Sequence, residues 1–93
     1  METDRQRVER IVCETADAVL LEIVREEKIQ LEGGVEAGLV AMRTGLRKGF
    51  QKKPASDAMI VKMASTPDAE LRQVARAYVE PLIRRALGVP RAS

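Results

Sequence analysis

The sequence predicts a small all-α domain of four helices, and three observations carry that prediction. Apolar residues recur at spacings of three and four over most of its 93 residues. Helix caps and stops, Thr3, Gly33-Gly34, Thr66-Pro67 and Gly88, stand where those patterns begin and end. No second stretch exists that could pair with a strand. The length suits one domain covering residues 1–93, with 89–93 expected as a flexible tail.

Helix one is expected from about Thr3 to about Leu31. Thr3 or Asp4 serves as N-cap and the paired glycines as the stop. Val8, Ile11, Val12, Ala16, Val19, Leu20 and Ile23 form its apolar stripe. Between Val19 and Val24 the apolar residues Val19, Leu20, Leu21, Ile23 and Val24 spread around most of the circumference, which asks for cover on more than one side. About 28 residues at 1.5 Å each give about 42 Å, longer than a domain of this size. The overhang predicts a protein interface there, closed most simply by a homodimer in which acidic helix one meets the basic segment of the other subunit.

Helix two is expected over Val35 to about Phe50, with Val35, Leu39, Met42, Leu46 and Phe50 on one face. Gly38, Ala41, Gly45 and Gly49 lie beside that stripe. Interior glycines cost about 1 kcal/mol each against alanine, and their use is close approach of another helix. Tight packing inside the domain is the plainer reading and a dimer seam or ligand groove the alternative, so Gly38 and Gly45 join the interface candidates. Pro54 ends the element. Ser56 and Asp57 are then expected to cap a short third helix, 58–64, whose Met59-Ile60-Val61 core is too short for its period to be read.

Helix four opens on Thr66-Pro67-Asp68-Ala69-Glu70, with Thr66 as N-cap and two acids at the positive end of the dipole. Leu71, Val74, Ala75, Tyr78, Leu82 and Ala86 are expected buried. Arg72, Gln73, Arg76, Glu80 and Arg84 are expected wet. Pro81 predicts a kink, and Gly88 and Pro90 the end.

The composition excludes several kinds of chemistry. The chain has no histidine and one cysteine, so imidazole catalysis, histidine metal sites and an intrachain disulfide are out. No catalytic, cofactor-binding or metal-binding residues are assigned, and no cofactor is expected. Cys13 beside Glu14 reads as a passive small residue. Glu22, Glu26 and Glu27 are interleaved with Arg25 and Lys28, the pattern of a solvated face. There is no glycine-rich phosphate loop and no signature of a known family. A charged start with no apolar core behind it, and no span long enough for a bilayer, lead to the expectation of a cytoplasmic protein without membrane contact.

The net charge of +2 hides an asymmetry. Residues 1–37 carry ten acids and five bases, and residues 38–93 carry four acids and eleven bases. Arg43, Arg47, Lys48, Lys52 and Lys53 form a block without an acid, able to meet phosphate, an acidic protein, or the chain's own helix one. Arg72, Gln73 and Arg76 would add a second nucleic-acid surface if 57–64 and 67–80 formed a helix-turn-helix. The expectation is thus a non-enzymatic helical regulator or inhibitor that acts on a protein partner. The alternative is a dimeric DNA-binding regulator using 43–53 or 57–80.

Overall fold

The structure is a computed structural model that describes residues 1–52 and 55–90. Its elements are α1 (Asp4–Glu26), α2 (Gly34–Gln51), α3 (Ala55–Ala64) and α4 (Asp68–Leu87), with no strand among the described residues. The all-α, four-helix expectation is met. Lys53, Pro54 and 91–93 lie outside the described residues, and with them the Pro54 stop and most of the expected tail.

α1 is the axis on which the others are mounted. Thr3 caps it through a reciprocal pair: the Gln6 amide donates to Thr3 Oγ1 at 3.1 Å, and the Thr3 amide donates to Gln6 Oε1 at 2.9 Å. The helix ends at Glu26, five residues before the expected Leu31. Lys28 takes a left-handed φ of 52° and the Ile29 amide donates back to the Val24 carbonyl at 3.0 Å. This is a glycine-type stop built on a lysine, so no glycine announced it. Packing rewards the turn, because Ile29 folds back against the core. Gly33 and Gly34, at φ 80° and 87°, open α2 instead of closing α1.

The shorter helix removes the overhang. Twenty-three residues make about 35 Å, within the 37 Å long axis of the molecule. Val19 and Ile23 are buried in the chain's own core, and Leu20, also buried, lies at the floor of a groove described below. Val24 is half-buried against that core, and Leu21 alone of the set is exposed.

Ion pairs fix the helix directions. Arg7–Asp68, Arg76–Glu22 and Arg84–Glu27 run in step along α1 and α4, which are therefore parallel. Arg43–Asp17 and Arg47–Glu9 run in opposite order, so α2 is antiparallel to both. α2 and α4 each pack on α1, and α3 closes the end near Arg5 and Phe50.

α4 buries Leu71 and Ala75 as expected, but Val79 and Ile83 in place of the rest of the expected set. Leu71, Ala75, Val79 and Ile83, each four apart, face α1 and are buried. Val74, Tyr78 and Leu82 are exposed, and so is Ala86. The helix carries two adjacent apolar rows, and α1 covers only one. Its N-cap is Pro67, not Thr66, with the Leu71 amide bonded to the Pro67 carbonyl at 2.8 Å. The helix runs on through Pro81. Arg84, expected wet, is 8% exposed and holds Glu80, Glu27 and the Pro90 carbonyl, which ties Pro90 to the helix. α3 is helical as expected but starts at Ala55, so Ser56 and Asp57 lie inside it.

One core position conflicts with its surroundings. Thr15 is buried and its hydroxyl has no hydrogen-bond partner among the described residues. Thr15→Val keeps the shape and removes the orphan. It is expected to stabilise the fold by about 1 kcal/mol and to raise the thermal midpoint by roughly 4–8 °C, read by circular dichroism. An unchanged or lower midpoint would contradict it.

Candidate functional site

α2 and α4 stand apart on α1 and leave an apolar groove of about 580 Å³ between them. Its floor is Ala16 and Leu20 of α1. One wall is the small-residue flank of α2, with Gly38, Ala41, Gly45 and Gly49. The other is the row of α4 that α1 does not cover, Tyr78, Leu82 and Ala86, and Leu31 and Leu87 also line it. Tyr78 supplies the only polar side chain in the lining.

Tight packing inside the domain, the plainer use expected of the glycines, holds at Gly38 but not at Gly45 or Gly49, which line the groove. A Cβ on Gly45 or Gly49 would meet nothing within 4 Å. Only Gly38 is approached: a Cβ there would stand 2.6 Å from Leu31 Cδ1. α2 packs on the core through Leu39, Met42, Leu46 and Phe50, and its glycine flank lines the groove. Gly49→Ala is therefore expected to stabilise the chain by about 0.5–1 kcal/mol through helix propensity. Gly38→Ala gains less, since Leu31 must move. Thermal melts of the two variants check the difference, and equal gains would contradict it.

The basic candidates are largely engaged inside the chain. Arg43 grips both carboxylate oxygens of Asp17, and Arg47 lies 3.8 Å from Glu9. Arg72 lies 3.7 Å from Glu14, and Arg76 reaches Glu22 at 2.8 Å and Glu80 at 3.8 Å. The hydrogen bonds to Asp17 and Glu22 push the Arg43 and Arg76 guanidinium groups further toward the charged form. Lys48, Lys52 and Gln73 are exposed, and the two lysines have no ion-pair partner among the described residues. Lys53 is outside the described residues. The carboxylates read from sequence as a solvated face thus bind α4: Glu22 meets Arg76 and Glu27 meets Arg84. In the helix-turn-helix reading, the outward row of α4 would enter the groove of DNA. That row, opposite Leu71, Ala75 and Val79, is Ala69, Gln73 and Ala77, and it carries no cation.

A second, polar cleft of about 350 Å³ borders Cys13, Glu9, Glu14, Asp17, Arg43 and Arg47. Burial first, and then Glu9, push the Cys13 thiol up, away from the reactive thiolate. Among the described residues no group of three potential metal ligands exists, and no helix is long and apolar enough to cross a membrane.

The groove brings together residues from three helices, and only Leu20, Gly38 and Gly45 were among the interface candidates. Tyr78, Leu82 and Ala86 were assigned to the core. Their signal was present as the second row of α4, 74-78-82-86, which periodicity alone could not separate from 71-75-79-83. No family model matches the chain, and no curated protein or solved structure is significantly similar to it.

Proposed function

We propose that the protein is a small non-enzymatic helical regulator or inhibitor that works by protein–protein interaction, with the groove between α2 and α4 as its docking surface. The groove itself is the observation that supports this. It is open and apolar, and it offers one hydroxyl for chemistry, which suits helix-in-groove recognition rather than a reaction. Glycines along one wall let a guest backbone come close, and Tyr78 and Leu82 along the other offer large contact area.

Site-specific photo-crosslinking in the native host tests the reading. A photoreactive residue at Ala41, in the groove, is expected to capture a protein, whereas one at its neighbour Val40, exposed outside the groove lining, is not. Equal capture at both, or none at Ala41, would remove the proposal.

Among the described residues, the DNA-binding alternative is favoured only by Lys48 and Lys52. Four of its arginines already face carboxylates of α1. A gel-shift titration at low salt decides it, and no shift is the expected result.

A further inference from the structure

We infer that the groove is filled by a second copy of this chain, with α4 of each subunit lying along the glycine flank of the other's α2. The inference rests on the groove being a docking surface and names its occupant. A two-fold interface must present projections and the hollows that receive them on one face. This face does. Tyr78 and Leu82 stand 49% and 44% exposed on α4, while Gly45 and Gly49 on α2 face open space.

Charge selects the direction of the two-fold axis. Arg7–Asp68 places the start of α4 level with the start of α1. Arg47–Glu9 and the bond from Arg5 to the Phe50 carbonyl place the end of α2 at that same level. An axis parallel to the helices keeps every residue at its own height and lays α4 antiparallel on the partner's α2. Lys48 and Lys52 then come level with the partner's Glu70, which heads the row Glu70, Val74, Tyr78, Leu82, Ala86. An axis perpendicular to the helices would instead set both lysines against the partner's Arg85, and like charges disfavour it. Lys48, Lys52, Glu70 and Arg85 have no ion-pair partner within the chain among the described residues. These contacts differ from the pairing through α1 that the sequence suggested, where Arg43 and Arg47 are already answered internally.

Light scattering across about 10–500 μM, with dissociation constants from sedimentation, provides the test. The chain is expected at twice the mass of one subunit. Lys48→Glu and Glu70→Lys are each expected to weaken the dimer about tenfold, counted over two symmetric contacts, and the double exchange to restore it. Gly45→Leu fills the hollow and is expected to be monomeric and fully helical by circular dichroism. Should that variant fail to fold, the exposed charge exchange decides alone. A monomer at the highest concentration, or a dimer indifferent to the charge exchange and to Gly45→Leu, overturns the inference. Fluorescence of anilinonaphthalene sulfonate separates the two failures. Dye bound by a monomer and lost in Gly45→Leu leaves a docking groove with a different occupant. A monomer that binds no dye removes both readings.

Discussion

Leu71→Ala is expected to cost about 3–4 kcal/mol, the largest effect of any truncation in α4. Leu71 is completely buried at the start of that helix, in the row that faces α1. A chain of this length holds about 5–14 kcal/mol of stability in all. This one is expected toward the lower end, because Phe50 is its only buried aromatic residue and a groove lies open on its flank. Leu82→Ala is the control, since it removes the same atoms from the same helix in the other row. Leu82 is nearly half exposed, and its loss is expected to cost under about 1 kcal/mol. Urea titrations of both variants give the comparison. A Leu71→Ala midpoint close to that of Leu82→Ala would show that the two rows of α4 are not divided as described.

Arg7→Met should come next, at about 2–3 kcal/mol, with a changed response to acid. Arg7 fastens α1 to the turn between α3 and α4. Its guanidinium donates to the Ala64 carbonyl at 3.2 Å and the Thr66 carbonyl at 2.6 Å. It also donates twice to Asp68, at 2.6 and 3.0 Å. Methionine preserves the stem and leaves both carbonyls unanswered. The Arg7 hydrogen bond also holds the Asp68 carboxyl below its ordinary range. A carboxylate depressed in the folded state stabilises it above the unfolded value, and that stability is lost as the pH falls through the folded value. The native chain should therefore lose stability on acidification below about pH 4. Arg7→Met removes the Asp68 share of that loss, so its decline with acid should be shallower. Parallel curves for the two proteins would contradict the assignment.

How far the residues foretold this structure depends on what each signal encodes. The α1 stripe from Val8 to Ile23 is legible because seven apolar positions share one face and little else competes for it. All seven are buried. The end of α1 was not legible, since a lysine in the left-handed conformation carries no marker that glycine or asparagine would supply. In α4, spacing identifies apolar rows but not which row a neighbour will cover, and two adjacent rows satisfied the same pattern. The charge asymmetry was legible as such. Its destination was not: Arg43 and Arg47 lie 26 and 38 residues from their partners, and linear order says nothing of helix direction. The glycines of α2 announced close approach. Spacing could not say whether that approach would come from within the chain: no other part of the described chain reaches Gly45 or Gly49.

The attachment of α2 has a consequence for motion. Of its 18 residues only Phe50 is buried, and it leans on α1 and α3 without packing against α4 along the groove. A segment held by so little buried apolar surface opens at a lower free energy than the whole chain does. In hydrogen exchange, the amides of α2 should thus trade with solvent well before those in the middle of α1 and α4. One side of the groove would then be an adjustable jaw and the other a fixed anvil. A guest that clamps the jaw would slow exchange throughout α2, including at residues it never touches.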